Sequence, residues 1–235
     1  MTKKSSLDEF RERELNSCAA FAPDLKGFNK SCKLPYGLKP THIHKAMKEF
    51  TGFLGYVNTQ LNSKGIPRME TMLMPANFSS MVGEFMSANI PKYCASLVKN
   101  RYHNGHPDMI PKGQYPGNAA QHVAEGVEVK ASRYLRGWQG HNPEDVWLSV
   151  FAFESGRPTD EHKGVLPLPF RFLAVYCARL EKADWQYSGR TGTSRRTITA
   201  TVKPSGFAKM AANWVYRAPN AKSTIGALEE EAGDE

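Results

Sequence analysis

An α/β or α+β fold, with a central mixed β-sheet flanked by helices and a mostly helical N-terminal third, is what this 235-residue sequence predicts. Three observations carry the expectation. Apolar residues recur at helical spacing through the N-terminal third. From Val127 the period drops to two, and Val146–Phe153 is an almost continuous apolar run. A helical pattern returns after Ser205. Helices first, a sheet second and a closing helix make a layered arrangement around one core.

The elements follow in order. Ser6-Leu7-Asp8-Glu9 has the form of a capping box, so a short helix is expected from Leu7 to about Cys18. Residues 23–40 read as connecting loop. Thr41 is expected to cap a longer helix on which Ile43, Met47, Phe50, Phe53, Leu54, Val57 and Leu61 share one side, with Lys64-Gly65-Ile66-Pro67 stopping it. A third helix starts near Asn77 and carries Met81, Val82, Phe85 and Met86 inward; Pro91 interrupts it, and a further helix is expected through Leu97 and Val98. Pro107 disfavours helical backbone at His106, so Asp108 is expected to begin a strand or end a turn. Residues 112–125, rich in Gly, Pro and Asn, form a loop back to the strand Gly126–Ser132. A polar loop (133–144) separates that strand from the buried strand Val146–Phe153. Phe170–Ala178 and the alternating Thr197–Lys203 read as further strands, and Ser205 to about Tyr216 as the final helix.

Composition narrows the partners. No apolar run is long enough to span a membrane and the N-terminus lacks the apolar stretch of a secretory signal, so a cytoplasmic protein is expected. Cys18, Cys32, Cys94 and Cys177 are scattered with no C-x-x-C pair, which favours reduced structural thiols over zinc ligands or disulfides. The net charge is +8, yet residues 228–235 hold five acids and no base, so the body without that tail carries +13. A basic body of this size favours a polyanionic partner. The chain divides into a helical region packed on the core (1–76), a core with recognition loops (77–220) and a disordered acidic tail (221–235).

The segment that carries chemistry is Pro107-Asp108 followed by Glu128-Val129-Lys130. Val127, Val129 and Ala131 alternate with Glu128, Lys130 and Ser132, as on a half-buried strand. Residues i and i+2 share a face roughly 7 Å apart. A carboxylate and an ammonium therefore sit side by side on rigid backbone, with a second acid delivered by a hairpin. Of two other acid-x-Lys triplets, Asp24-Leu25-Lys26 sits directly on Pro23-Asp24 with no second acid at hairpin spacing behind it, and Glu161-His162-Lys163 follows a run, Ser155–Asp160, that reads as loop. An ordinary surface ion pair on a sheet is the competing reading of Glu128 and Lys130.

This layout resembles the PD-(D/E)xK nuclease superfamily, and within it most resembles type II restriction endonucleases. The resemblance covers Asp108 to Lys130 by motif and residues 77–153 by element order. It implies a restriction-endonuclease-like core and magnesium-dependent, sequence-specific hydrolysis of double-stranded DNA by a homodimer. Asp108 and Glu128 would be Mg2+ ligands, the Val129 carbonyl an additional ligand and Lys130 the catalytic lysine, with Glu84 from the preceding helix as a further metal ligand. Two loops are candidates for DNA contact: one carries Arg133, Arg136 and Gln139, the other Arg190, Arg195 and Arg196. The alternatives are a DNA-repair or phage recombination nuclease of the same superfamily and a non-catalytic nucleic-acid-binding protein. An HNH-type finger built on His103, His106, His141 and Asn142 lacks a ββα context.

Overall fold

The computed structural model describes residues 6–187 and 199–221. Among them lie the helices α1 (Ser6–Asn16), α2 (Pro40–Asn62), α3 (Met69–Met72), α4 (Pro75–Asn89) and α5 (Pro204–Ala212). The strands are β1 (Leu97–Lys99), β2 (Met109–Pro111), β3 (Val127–Ser132), β4 (Gln139–Gly140), β5 (Val146–Glu154), β6 (Arg171–Leu180), β7 (Trp185–Tyr187), β8 (Ala200–Val202) and β9 (Trp214–Arg217). The fold is α+β with a helical N-terminal part. A mixed six-stranded sheet has the order β1-β2-β3-β5-β6-β9, and β4-β8-β7 forms a small antiparallel sheet. In the large sheet β3 and β5 are parallel, and the other neighbours are antiparallel.

The apolar patterns account for the layers. Phe50 of α2 and Phe78 of α4 meet Phe170, Phe172 and Phe153 in one aromatic cluster, all fully or almost fully buried. Each such ring contributes about 1.5–3 kcal/mol by leaving water. On the other face of the sheet, Tyr176 of β6 packs against Trp138 and Phe207. Val150 is opposite Tyr176 and Lys130 is opposite Val150, so Lys130 and Glu128 point away from the α2/α4 layer. Strand β5 is central and buried along nearly its whole length, as its continuous apolar run requires.

Several boundaries differ from expectation. Helix α2 begins at Pro40, with Lys39 as N-cap, so Thr41 lies inside the first turn. Proline is preset for that first position, and the Lys39 N–H donates to His42 Nδ1 at 3.3 Å. Phe53 on the same helix is exposed rather than inward. Leu97 and Val98 form β1 instead of a helix. Pro91 ends the preceding helix, and two apolar residues are too few to set a period, so pairing with β2 decides the conformation. The last helix stops at Ala212. Asn213 turns the chain by donating to the carbonyls of Lys33 (2.7 Å) and Cys177 (2.5 Å), and Trp214–Arg217 then adds an edge strand beside β6. Of the alternating segment 197–203, Ala200–Val202 forms β8 in the small sheet; Thr197, Ile198 and the acidic tail lie outside the described residues. No helix among the described residues is long and apolar enough to cross a membrane.

Candidate metal and phosphodiester site

Strands β2 and β3 are antiparallel, with Met109 opposite Val127. Asp108, one residue before β2, and Glu128, one residue beyond Val127 on β3, therefore come together where β2 begins. A buried Asn100 fixes the approach. Its side-chain amide donates to the carbonyls of Pro107 (3.1 Å) and Ala120 (2.7 Å), and its carbonyl oxygen accepts the Ala120 N–H at 3.0 Å. Gly126 permits the two strands to close: it has φ +142, and a Cβ there would lie 2.3 Å from the Met109 carbonyl oxygen and 2.5 Å from Pro107 Cγ. Gly126→Ala is expected to push β2 off β3, costing about 1–3 kcal/mol. Urea denaturation would show the lowered midpoint.

The charges are tightly linked. Lys130 Nζ is 2.5 Å from Glu128 Oε1, and His106 Nδ1 is 3.1 Å from Glu128 Oε2. His106 Nε2 reaches Glu144 Oε2 at 2.7 Å. Burial opposes ionisation of Glu128, but the His106 hydrogen bond and the Lys130 charge outweigh it and hold the carboxyl well below the usual range. Burial also opposes protonation of His106, and hydrogen bonds to Glu128 and Glu144 lift it to about 9. Lys130 is likewise disfavoured by burial yet raised by Glu128, so it remains an ammonium.

Asp108 is the exception. Its Oδ2 accepts the Val129 N–H at 2.8 Å, while the Lys130 ammonium is held at Glu128 and acts on Asp108 only through space. Burial, and then the Glu128 charge, push Asp108 up to about 7. A carboxylate so desolvated and so near a second one is short of positive charge. The N–H and C=O of one strand residue point to the same edge. The Val129 carbonyl thus faces the side on which Asp108 lies, and Gly83 of α4 passes close to it: a Cβ at Gly83 would be 3.9 Å from that oxygen.

A cavity of about 510 Å³ is lined by Asp108, Glu128, Lys130, Glu84, Lys99 and His106, with others. Glu84 is exposed, pairs with Lys99 Nζ at 2.5 Å and adds to the negative potential at Asp108. Of the expected residues, Asp108, Glu128, Lys130 and Glu84 line this one cavity, whereas Val129 is buried in β3 and is not part of its lining.

Comparison with protein-family models, curated proteins and solved structures finds no match. The chemistry of the site therefore rests on its own geometry.

The expected DNA-contact residues divide. Arg133 is turned inward: its guanidinium lies over the rings of Phe78 and Phe153 at 5.4 and 5.3 Å, and donates to the Ser155 carbonyl at 2.9 Å. Two long-range aromatic contacts place it there, so it braces α4 against β5 rather than facing the cavity. Arg136, on the loop after β3, and Gln139, at the start of β4, are both exposed, and β4 leads to His141, which lines the cavity. Arg190, Arg195 and Arg196 lie outside the described residues. Sequence reasoning missed Asn100, Glu144 and His122, and placed His106 only in the HNH reading. The grouping formed among the described residues is His106, His122 and Glu144, not His103, His106 and His141. His106 was signalled by its place beside Pro107-Asp108; Glu144 and His122 sit in loops without any period.

Proposed function

We propose that this chain is a magnesium-dependent nuclease of the PD-(D/E)xK kind, acting as a type II restriction endonuclease on double-stranded DNA. The convergence of Asp108 and Glu128 on one cavity, with Lys130 against Glu128 and no cation bonded to Asp108 among the described residues, carries the reading. The donor set fits a hard divalent cation: the Asp108 and Glu128 carboxylates offer oxygen at the cavity, with Glu84 at its margin. Such a cation, when bound, supplies Lewis-acid polarisation of a phosphodiester and a lowered water pKa.

The chain's own residues supply the rest. Asp108 and Glu128 would hold the cation. Lys130, kept charged by Glu128, orients an attacking water or neutralises charge on the phosphate, and does not act as a proton acceptor. Arg136 and Gln139 suit contact with phosphates or base edges beside the cavity. A two-fold symmetric target is matched by a homodimer.

Incubation with a sequenced circular plasmid and Mg2+ tests the proposal. Discrete fragments whose ends map to one repeated sequence are expected, with no cleavage in chelator. Trimming of linear ends alone would assign the site to a repair or recombination nuclease. Stable DNA binding with no cleavage in Mg2+ would overturn the catalytic reading. Lys130→Ala is expected to lower the rate about 100-fold or more while leaving DNA binding intact; single-turnover cleavage and a filter-binding assay measure the two separately.

A further inference from the structure

A second group of metal-ligating side chains lies beside the candidate nuclease centre, on the other side of His106. The backbone builds it. His106 and His122 form an isolated parallel bridge, in which the His106 N–H donates to the Gln121 carbonyl and the Val123 N–H to the His106 carbonyl, both at 3.0 Å. The two imidazoles are held nearly parallel, at 19°, with ring centroids 5.2 Å apart. Glu144, delivered by the loop before β5, completes the group, and one ligand atom from each of the three lies within 4.8 Å of the others. All three line a second cavity of about 290 Å³, shared with Glu128, Lys130 and His141.

We infer that His106, His122 and Glu144 form a binding site for a transition-metal dication of the zinc class, separate from the oxygen-donor site at Asp108. Two imidazole nitrogens and one carboxylate oxygen suit zinc, cobalt or nickel and are a poor set for magnesium. Metal–ligand bonds of about 2.0–2.1 Å at a tetrahedral angle put ligand atoms about 3.3 Å apart. The present span, from 2.7 Å between His106 Nε2 and Glu144 Oε2 to at most 4.8 Å, brackets that value. His122 is exposed and turns to meet the ion at small cost. Three protein ligands leave the fourth position open to water or an anion.

The outer partner is also in place. With the metal on His106 Nε2, the Nδ1 hydrogen is aimed at Glu128 Oε2, 3.1 Å away. A carboxylate in that position fixes the ring and its tautomer, as in metal sites generally. Glu128 thereby belongs to both centres, as an oxygen ligand proposed for one and as the orienter of His106 for the other. A zinc-class ion at the second site would set the position of Glu128 in the first.

Zinc and cobalt binding to untagged protein provide the test, read by equilibrium dialysis and by the visible absorption of bound Co2+ in the presence of millimolar Mg2+. One Co2+ or Zn2+ per chain is expected in the wild type. His122→Ala and Glu144→Gln should each weaken binding about tenfold or more. Asp108→Asn should retain it, which separates this site from the nuclease proposal whatever the outcome of the cleavage assay. Binding that survives in the His122→Ala/Glu144→Gln double variant, is displaced by Mg2+, or is absent from the folded wild type would overturn the inference.

Discussion

Asp108→Asn is expected to abolish magnesium-dependent cleavage and, in metal-free protein at pH 8, to raise the melting temperature. Loss of activity follows from replacing an anionic oxygen donor by a neutral amide in a hard-cation site. The gain in stability follows from the charge deficit at Asp108. Its carboxyl is pushed from the ordinary 3.8 to about 7 in the folded protein. A group raised in this way favours the fold fully below its unfolded pKa, and that contribution is lost as pH rises through the folded value. At pH 8 the folded chain holds an ionised Asp108 next to Glu128, a state the unfolded chain escapes. Asparagine removes the charge, and its side-chain carbonyl still accepts the Val129 N–H. A gain on the order of 2 kcal/mol, or several degrees, is expected. The wild type should therefore lose stability between about pH 4 and pH 7 through this group, and the variant should not. His106, raised from 6.5 to about 9, adds a further decline between those two values in both proteins. Scanning calorimetry across that pH range, in chelator, separates the two windows. Stabilisation by removing a site carboxylate is the usual signature of a centre that trades fold stability for function.

Arg68→Ala is expected to be the most damaging single change outside the site. Arg68 is only 1% exposed and, besides the Ser17 carbonyl at 3.4 Å, binds three groups from three parts of the chain. It donates to Glu14 of α1 at 2.9 and 3.1 Å, to Glu70 of α3 at 2.6 Å and to the Leu168 carbonyl at 3.0 Å. Glu70 is fully buried and is also held by Asn58 at 2.9 Å. Removing the guanidinium leaves the Glu70 carboxylate buried without a cation, a loss of about 3–5 kcal/mol. In a chain of this size that corresponds to about 10 °C in Tm. Adding Glu70→Gln removes the orphaned charge and should recover part of the loss, so the two substitutions are expected to be non-additive. Urea unfolding of the four proteins measures the coupling. Equal losses in the single and the double variant would show that the guanidinium acts by packing alone.

The parts of the fold legible in the sequence are those with a sustained period. The long helix through Ile43, Met47, Phe50 and Leu54 and the buried strand Val146–Phe153 each bury a continuous pattern, and they form as the pattern requires. Short segments were misread for want of length. Leu97-Val98 and Trp214–Arg217 take their conformations from the strands they join, β2 and β6, and no local signal identifies those partners. In the same way, the approach of Asp108 to Glu128 was legible because a hairpin and an alternating strand are local patterns. The inward turn of Arg133 was not, because it depends on Phe78 and Phe153, far away in sequence. His122 and Glu144 meet His106 through a bridge between loops, and loops carry no periodicity from which such a meeting can be read.

The central claim is that Asp108 and Glu128 jointly bind a divalent cation where β2 begins beside β3. Mn2+ titration of metal-free protein, followed by electron paramagnetic resonance in the His122→Ala/Glu144→Gln background that removes the neighbouring site, measures it most directly. Saturable binding is predicted with both carboxylates present, weakened about tenfold or more by either Asp108→Asn or Glu128→Gln. Undiminished Mn2+ affinity in both variants would contradict the account.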